Sequence, residues 1–449
     1  MKKRILAILI TAALAVSVTG CAGNTASSGD SSAASSVAES SDNSSETSDA
    51  TSSEEVSKDE SSQEESKDLE ANYTKYTLDG DLTQHMIDMS RLNEGNKVRL
   101  ANVIKKLKNG EEVTVGFIGG SITQGTSAGN ELCYAKLTAD WLQQTYSNAK
   151  VNYVNAGIGA TGSYIGVHRV NEDLLSKNPD LVFVEFSVND TTENTERNKR
   201  SYDGLLRTIW NSSTNPAIIT IATTQENGTS FQEEHAEIVK HYDLPMISYK
   251  NTILDTIEHG DIAWKDISND NIHPNVPGHK IVSQLLQAYI SDVDKDIDNI
   301  SGYESDFSTS ATDTPIENGS LIQPSSSADV TATGLFETRD SQFGGFDGYW
   351  YFKGKAEEIG DTALTFKVNA KQIGILYDKY VTSACSADVY VDDELVTTLN
   401  ADFSGGWGNY VECAELKSFD TSGEHTVKIV PKGIEGKNSK FGVTALAIS

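Results

Sequence analysis

The sequence predicts an α/β domain with a doubly wound parallel sheet, followed by a C-terminal all-β sandwich. Two observations support this. Between Tyr73 and Ser291 short apolar runs alternate with helical stretches, and strand–helix alternation is typical of doubly wound sheets. After Gly334 short strand-like runs recur between turn signals, which is typical of β-sandwiches.

Length and charge limit the function classes. The chain has 449 residues, which allows two or three domains of typical size. Its formal net charge is −29. Recognition of phosphate needs a clustered basic footprint, and none is visible, so we expect no nucleic-acid partner. A neutral polysaccharide is compatible with this charge.

Residues 1–21 are predicted to be a lipoprotein signal peptide. Three basic residues precede an apolar run at 5–18, which is too short to span a membrane comfortably. The run ends in VTGC, which resembles the lipobox of bacterial lipoproteins and predicts lipidation of Cys21. An ordinary signal peptide with a chance cysteine is the alternative. The lipoprotein hypothesis places the chain on the extracellular face of the cell membrane, held by its lipid anchor.

The remaining boundaries follow from composition. Residues 22–70 are rich in Ser, Asp and Glu and predict a disordered tether. The α/β domain is predicted at 71–292, a Ser/Thr/Asp/Gly-rich linker at 293–332 and the β-sandwich at 333–449. Whether Cys385 and Cys413 form a disulfide is left open.

In the α/β domain, the short, partly β-branched runs that suit buried parallel strands are 113–118, 151–155, 181–186 and 217–222. Predicted helices lie near 134–146, 165–175, 202–210, 231–242 and 277–290. Predicted strands of the last domain include 363–368, 373–377, 387–391, 426–430 and 441–448, with turns at 392–393 and 422–423. In doubly wound folds, ligands bind beyond the carboxyl ends of the strands.

The first strand runs into Gly119-Gly120-Ser121. A serine just past a strand and preceded by two glycines can sit on a tight turn at the start of a helix, with its hydroxyl exposed. Two alternatives are an ordinary turn and a phosphate cradle. A phosphate cradle is not supported, because the segment lacks the lysine and the glycine spacing of a P-loop.

Far downstream stands the segment DNIHPN, with Asp270 and His273 three residues apart. This spacing can place both side chains on one side of a turn, where the carboxylate orients the imidazole. The alternative is a helix-capping Asp ahead of Pro277.

Two further segments lie between these. The glycine-rich segment NAGIGATG follows the second strand, and Asn189 follows the third. Glycines let backbone N–H groups approach a substrate, and the Asn189 amide could donate to a developing oxyanion. Ordinary strand-end turns are the alternative for both.

Together these residues resemble the SGNH/GDSL hydrolase family, whose four blocks carry Ser, Gly, Asn and His in this order. The resemblance covers roughly 113–290 and implies a flavodoxin-like strand order for the doubly wound sheet. The first block reads GGSIT, so Gly120 stands where the family usually has an acidic residue. The resemblance implies acyl-enzyme ester hydrolysis with no metal or organic cofactor.

The resemblance also implies residue roles. Ser121 would be the nucleophile, His273 the general base and then the general acid, and Asp270 the group that orients it. The oxyanion hole would comprise the Ser121 N–H, an N–H of the second block and the Asn189 side chain. At the position where the family has glycine in that block, this chain has Ala160. Whether the backbone N–H of Gly159 or that of Ala160 donates to the oxyanion is therefore left open.

The forms FIGGSIT, NAGIGATGS, EFSVND and DNIHPN are similar to those of bacterial carbohydrate esterases and acetylxylan esterases. This similarity implies that the substrate is an acetylated polysaccharide or oligosaccharide, with xylan or another plant polysaccharide as the source. The alternatives are a lipase or an acyl esterase on cell-envelope glycan. Because Gly120 departs from the family pattern, a non-catalytic glycan-binding lipoprotein is a further alternative.

Several other side chains bear on the site. Tyr134 and Trp264 are predicted to line the substrate pocket, with core packing as the alternative for Trp264, and Glu185 is predicted to be hydrogen-bonded beneath the site. Aromatic residues cluster in the last domain, where Trp407 in GGWG is the expected exposed tip. Four histidines without an evident Asp partner are predicted to lie on the surface: His168, His235, His241 and His259.

Overall fold

The fold is described from a computed structural model of the chain, whose described residues are 73–326 and 328–449. The predicted signal peptide, Cys21 and the tether lie outside this range. Within it, no helix combines the length and the apolar character needed to cross a membrane.

The α/β part is built on a six-stranded sheet with the order β1-β6-β5-β4-β2-β3. Strands β2 to β6 are parallel, and β1 pairs antiparallel with β6 at one edge. The order of the five parallel strands is flavodoxin-like, as predicted. The strands are β1 Arg91–Asn93, β2 Glu112–Gly119, β3 Lys150–Gly157, β4 Leu181–Glu185, β5 Ala217–Ala222 and β6 Met246–Ser248.

Helices cover both faces of this sheet, and the sheet lies between two apolar cores. They are α1 Gln84–Ser90, α2 Val98–Lys108, α3 Ser121–Gln124, α4 Tyr134–Thr145, α5 Ser163–Asp173, α6 Thr195–Trp210, α7 Gln232–His241, α8 Tyr249–Glu258, α9 Trp264–Ile267 and α10 Val276–Lys295. The predicted helices correspond to α4 to α7 and α10. All residues of β4 and β5 are buried, which explains their continuous apolar runs.

The chain order creates a crevice beside β2. From β2 the chain goes to the edge strand β3 and then crosses back to β4 on the other side of β2. In open α/β sheets such a switch point leaves room for a ligand at the carboxyl ends of the strands. The loops that follow β2, β3 and β4 therefore meet at this edge.

The C-terminal part is an antiparallel sheet with the strand order β13-β12-β14-β11-β15-β10-β9, and β7 and β8 pair with β15 and β11. The strands are β7 Ser320–Ile322, β8 Asp329–Ala332, β9 Phe336–Arg339, β10 Tyr349–Gly354, β11 Leu364–Lys379, β12 Ser386–Val391, β13 Glu394–Asn400, β14 Tyr410–Pro431 and β15 Ser439–Ile448. The first half of β11 pairs with β8 and the second half with β15, and the sheet encloses one apolar core.

Two local predictions for this part were wrong. The runs 363–368 and 373–377 are not separate strands, because both lie in the continuous strand β11, which carries register shifts between them. The predicted turn at 422–423 lies inside β14. The turn at 392–393 is present, with both aspartates at positive φ. The described cysteines, Cys385 and Cys413 among them, are free thiols.

The segment between helix α10 and strand β7 packs against the α/β part. Phe307 stacks on Trp210 and Tyr242, with ring centroids 4.5 and 3.9 Å apart. The N–H of Ile316 donates to the Arg200 carbonyl over 3.1 Å. The predicted linker therefore packs against the α/β part at these points. The domain limits at 292 and 333 stay predictions.

Polar contacts join the C-terminal sheet to the α/β part near the carboxyl edge of the first sheet. Arg200 forms an ion pair with Glu415, with 2.6 Å between Nη2 and Oε1. Arg197 donates from Nη1 to the Cys413 carbonyl over 3.1 Å. Both arginines lie on α6, so the start of this helix places β14 beside the crevice.

Candidate active site

Ser121 lies on a sharp turn between strand and helix. Strand β2 ends at Gly119, Gly120 caps helix α3, and Ser121 is the first helical residue. The helix ends after one turn at Gly125, whose φ of 100° is left-handed and favours glycine. A Cβ on Gly119 would overlap the Thr123 hydroxyl, so the close return of the chain requires glycine there. The short helix fixes the Ser121 hydroxyl at the carboxyl edge of the sheet.

His273 connects Ser121 to Asp270. Its Nε2 lies 2.9 Å from Ser121 Oγ, and its Nδ1 lies 2.8 Å from Asp270 Oδ2. With the proton on Nδ1 facing the carboxylate, Nε2 is free to accept the hydrogen bond of the Ser121 hydroxyl. The structure brings together the three residues singled out as nucleophile, base and orienting acid.

The loop that carries Asp270 and His273 is held by its own hydrogen bonds. Asp270 Oδ1 accepts from the N–H groups of Ile272 and His273 over 2.8 and 2.7 Å. The Ser268 hydroxyl lies 2.8 and 2.6 Å from the carbonyls of Asp270 and His273. Trp264 donates from Nε1 to the Asp270 carbonyl over 2.7 Å. These contacts set the imidazole orientation.

Asp270 is 44 % exposed, so its charge is partly solvated. Partial burial raises the pKa of Asp270, but hydrogen bonds from the His273 backbone and side chain and from the Ile272 N–H outweigh burial and lower the pKa below its usual value. Asp270 is therefore a carboxylate at neutral pH and can stabilise a positive charge on His273.

Asn189 lies against Gly120 at the same edge. It follows β4, and a Cβ built on Gly120 would overlap Asn189 Oδ1. The glycine at position 120 makes room for the Asn189 amide beside Ser121. Because an acidic side chain at position 120 would also need this space, the departure from the family pattern has a steric reason.

Gly159 and Ala160 both reach the site. A Cβ on Gly159 would lie 3.8 Å from Ser121 Cβ, and Ala160 lines a cavity together with Asn189. Within the described chain, no hydrogen bond uses the N–H groups of Ser121, Gly159 or Ala160. All three stay available to an oxyanion. Ala160 has φ 57°, a left-handed conformation in which glycine is the unstrained residue.

A buried pair of side chains lies behind Asn189. Asp190 accepts from the Ser163 N–H over 2.9 Å, and its second oxygen lies 2.9 Å from His235 Nε2. The His235 ring stacks on Tyr202 with centroids 3.6 Å apart. Through Ser163 and His235, Asp190 connects the end of β4 to the first turns of helices α5 and α7. The sequence analysis did not identify this pair, because His235 is 45 residues away along the chain.

Glu185 is fully buried at the end of β4, as predicted. Its Oε1 accepts from the Thr223 hydroxyl over 2.6 Å, whereas Oε2 is buried without a partner in the described chain. Burial raises the pKa of Glu185 to about 7, and the Asp190 charge acts in the same direction, against hydrogen bonds from Thr223 and Ser187. The carboxyl group changes its charge near neutral pH.

Arg169 holds the ends of two strands in place. Its guanidinium is buried and donates to the carbonyls of Ala156 and Gly119 over 2.6 and 3.1 Å. These carbonyls lie at the ends of β3 and β2, just before the loops that enter the site. The sequence analysis gave Arg169 no role, since a single arginine in a helix is ordinarily a surface residue.

The prediction that Tyr134 and Trp264 line the substrate pocket was wrong. Tyr134 is fully buried, and its hydroxyl lies 2.8 Å from the Thr123 hydroxyl. Trp264 is 8 % exposed and packs in the core beneath the triad loop. Both large rings fill space behind the catalytic turns, where apolar area is removed from water.

The prediction of surface positions was also wrong for three of the four histidines. His168 is buried and bonded to the Tyr164 carbonyl, and burial lowers its pKa to about 4. His235 is buried against Asp190, and His259 is half-buried beside Asp255. His241 is exposed, as expected. The partners of the buried histidines come from tertiary contacts or from the preceding helical turn.

Comparisons with known proteins show what this chain is similar to. A family model described as GDSL-like lipase/acylhydrolase matches residues 117–281. A two-domain esterase (CEX) active on acetylated mannans matches at 31 % identity with a TM-score of 0.74, covering 81 % of this chain and 98 % of that chain. Its structure with mannopentaose matches at 30 % identity with a TM-score of 0.72, covering 81 % of this chain and 97 % of that chain. A search of curated proteins finds no match.

The fold and the matches define the protein as a carboxylic ester hydrolase. The chain belongs to the GDSL-like lipase/acylhydrolase, or SGNH, family. Its resemblance to the two-domain esterase includes the C-terminal sheet, because the match extends well beyond the α/β part.

Proposed function

We propose that this protein is an esterase that removes O-acetyl groups from a plant polysaccharide through an acyl-enzyme on Ser121. The observation that carries the proposal is the continuous contact from Ser121 Oγ through His273 to Asp270, with distances of 2.9 and 2.8 Å. A nucleophile, its base and the orienting group within hydrogen-bond reach are the geometric signature of nucleophilic catalysis.

The proposed reaction has two halves. Ser121 Oγ bonds to the acetyl carbonyl carbon while His273 Nε2 takes the hydroxyl proton, and Asp270 stabilises the imidazolium. Nε2 then gives this proton to the departing sugar oxygen, which leaves acetyl-Ser121 and a free hydroxyl on the glycan. Water attacks the acetyl-enzyme with His273 as base, and collapse of this second intermediate releases acetate and restores Ser121.

The developing oxyanion needs donors on the side opposite the base. We assign the backbone N–H of Ser121, one N–H from Gly159 or Ala160, and the Asn189 amide to this role. Their fixed positions at strand ends mean that little reorganisation accompanies charge development.

The cavity beside the site supports a carbohydrate substrate. It has a volume of about 200 Å³ and lies between the α/β part and strand β14. Asn189, Glu193 and Arg197 line one side, and Tyr410 and Glu412 line the other. Charged and aromatic groups of this kind can hydrogen-bond to sugar hydroxyls and stack on sugar faces, whereas a long apolar pocket would suit lipid.

An exposed aromatic group extends this surface. Trp407 is 72 % exposed and stacks on Tyr410 at a centroid distance of 5.2 Å, and Phe403 contacts both rings edge-on. We propose that this aromatic group holds a neighbouring sugar unit of the chain. Acetylated mannan is the first candidate substrate, because the two-domain esterase acts on acetylated mannans. Acetylated xylan, expected from the sequence motifs, is the second.

Acetate release tests the proposal. The purified protein should release acetate from acetylated mannan or acetylated xylan and hydrolyse 4-nitrophenyl acetate. Ser121→Ala should lower these rates by several orders of magnitude, on the order of 10⁶ as for other triad nucleophiles. A fluorophosphonate probe should label the wild type and not the variant. Equal rates in both proteins, or a wild type that neither reacts with the probe nor releases acetate, would overturn the proposal.

Trp407→Ala tests the aromatic surface separately. We expect a higher KM for the polysaccharide and an unchanged kcat/KM for 4-nitrophenyl acetate, which is too small to reach Trp407. Tyr303→Ala is the control, since Tyr303 is 95 % exposed and does not line the cavity. An unchanged KM for polysaccharide in Trp407→Ala would remove Trp407 from the binding surface.

We also propose that Cys21 carries the lipid anchor and places the enzyme on the outer face of the cell membrane. The basic residues, apolar run and VTGC motif support this location. Labelling of the chain by a fatty-acid analogue should depend on Cys21. A Cys21→Ser chain that retains both the label and the membrane fraction would contradict the anchor.

A further inference from the structure

Three potential metal ligands converge on the side chain of Asp255. His85 Nε2 lies 2.7 Å from Asp255 Oδ2, and His259 Nδ1 lies 3.5 Å from the same oxygen. His259 Nδ1 also lies 3.0 Å from the Asp255 backbone carbonyl, a hydrogen bond that an ion at Nδ1 would replace. One donor atom from each residue lies within 4.8 Å of the other two. None of the three residues belongs to the proposed catalytic triad. We propose that His85, Asp255 and His259 bind a divalent transition-metal ion of the zinc type, in a structural site outside the reaction.

The donor spacing suits a tetrahedral ion. Zinc binds imidazole nitrogen and carboxylate oxygen at about 2.0–2.2 Å, which places two tetrahedral ligands about 3.3–3.6 Å apart. The separation of 3.5 Å between His259 Nδ1 and Asp255 Oδ2 matches this value, whereas the 2.7 Å from His85 Nε2 is shorter, and the two histidine donors lie within 4.8 Å of each other. Side-chain rotations that move His85 away from Asp255 Oδ2 would place the three donors around one ion. Two imidazoles and one carboxylate favour zinc-type ions over Mg²⁺ or Ca²⁺, which prefer oxygen donors.

Local sequence explains why two ligands come from one helix end. Asp255 and His259 are four residues apart, and this spacing places side chains on the same face of a helix. Asp255 lies in the last turn of α8, and His259 is the residue that caps it. Backbone carbonyls at a helix C-terminus carry partial negative charge, which adds to the attraction for a cation.

His85 comes from a different helix and is held firmly. It lies in α1, and its side chain is only 2 % exposed. Its ring meets the ring of His259 at 79° with centroids 5.6 Å apart. An ion at this point would join α1 to the end of α8, two elements that are separated by most of the α/β sequence.

The surroundings limit solvent and add negative charge. The Tyr73 ring stacks on His259 with centroids 4.2 Å apart and meets His85 edge-on at 5.5 Å. Asp261 lies next to this ring and accepts from the Tyr73 hydroxyl and the Tyr76 N–H over 2.6 and 2.7 Å. Both Asp261 oxygens are thus engaged in these hydrogen bonds, and the carboxylate adds negative charge beside the three donors.

A cluster that holds the helices by hydrogen bonds alone is the competing explanation, because an Asp between two histidines can do so without an ion. The two explanations differ in what happens when metal is added. A metal site takes up one ion per chain and gains thermal stability, since a ligand that binds only the folded state stabilises it. A hydrogen-bonded cluster gains nothing.

Titration with Zn²⁺ alone tests the site. The experiment is done on the purified chain in the His273→Gln background, so that the triad imidazole cannot bind the ion. We expect saturable uptake of one ion per chain and a rise in Tm. Asp255→Asn and His259→Gln should each weaken uptake at least about tenfold, because even the loss of an outer-shell partner commonly costs 10–100-fold.

His241→Gln is the matched control, because His241 is exposed and bonded only to Thr309 groups in the described chain. It should bind Zn²⁺ like the parent protein. Circular dichroism establishes that each variant is folded. Absence of saturable binding in the parent, or equal binding in Asp255→Asn, His259→Gln and the parent, would overturn the metal site and leave the esterase proposal unaffected.

Discussion

The Gly120 backbone lies directly against the Asn189 side-chain amide, and a Cβ at position 120 would overlap Asn189 Oδ1. This contact connects the turn after β2 to the turn after β4. It also explains why the residue before Ser121, the proposed nucleophile, is glycine in this chain. Asn189 is the proposed oxyanion donor. Its position therefore depends on the absence of a side chain at Gly120, which lies 69 residues earlier in the chain.

Gly120→Ala should displace the Asn189 amide and lower kcat for 4-nitrophenyl acetate about 10²–10³-fold, the usual cost of losing one oxyanion donor. Asn189→Ala should have the same effect. The double variant should be no slower than either single variant, because both changes remove one interaction. Gly344→Ala is the control, since a Cβ there meets no atom within 4 Å. Multiplicative losses in the double variant would show that the two residues act independently.

Asp270→Asn should lower kcat by about 10⁴ while the fold is retained. The amide oxygen can still accept from the Ile272 and His273 N–H groups, which leaves the NH₂ facing His273 Nδ1. Nδ1 must then accept, so the proton moves to Nε2, which can no longer take the proton of Ser121. Steady-state kinetics measures the loss. A decrease of less than tenfold would mean that Asp270 does not set the tautomer.

Ala160→Gly should stabilise the protein by about 0.5–1 kcal/mol. The left-handed conformation costs an L-residue about 1–2 kcal/mol, and glycine loses about 0.5–1 kcal/mol of this gain through its larger backbone entropy in the unfolded chain. Urea unfolding measures the difference, and ester hydrolysis should be retained because the backbone N–H remains. A less stable Gly variant would mean that packing of the Ala160 methyl outweighs the backbone strain.

Glu185→Gln should flatten the dependence of stability on pH. Burial raises the pKa of Glu185 from 4.5 to about 7. The folded state holds this proton between these two pH values and the unfolded state does not, so stability falls as pH rises through the window. A shift of this size corresponds to about 3 kcal/mol, fully lost above pH 7. Glutamine cannot ionise and removes this contribution.

Urea unfolding of both proteins between about pH 5 and pH 8 measures the effect of Glu185. The wild type should lose about 2–3 kcal/mol more than Glu185→Gln over this range. Parallel stability curves would show that Glu185 keeps an ordinary pKa in the folded protein.

The sequence predicted most strands and helices of the α/β part, because apolar runs and helix-capping residues are recognisable within a few positions of the chain. Strands β4 and β5 are continuous apolar runs, and helix α10 begins at Val276 after the capping residue Asn275, with Pro277 in its first turn. The strands β1 and β6 were not predicted, because three residues are too few to show the alternation of apolar and polar side chains that marks a strand. The division of β11 into two predicted strands failed because register shifts near Lys371 interrupt its alternation.

The site residues that motifs carry were found, and those held by distant contacts were not. Ser121, Asn189, Asp270 and His273 stand in short segments with a recognisable order. His235 and Arg169 depend on partners from other strands and helices, which no spacing along the chain encodes. Glu185 was identified because a carboxylate inside an apolar strand is costly unless it is paired.

The sequence by itself determined the strand–helix order, the chemical groups and the turns that carry them, because periodicity, capping and glycine at tight turns act over a few residues. Only the tertiary structure decided which groups meet. It placed His273 against Ser121, which is 152 residues away, and buried Tyr134 and Trp264 behind the site. The physical reason is that the crevice arises where the strand order reverses beside β2, and this reversal is a property of the assembled sheet.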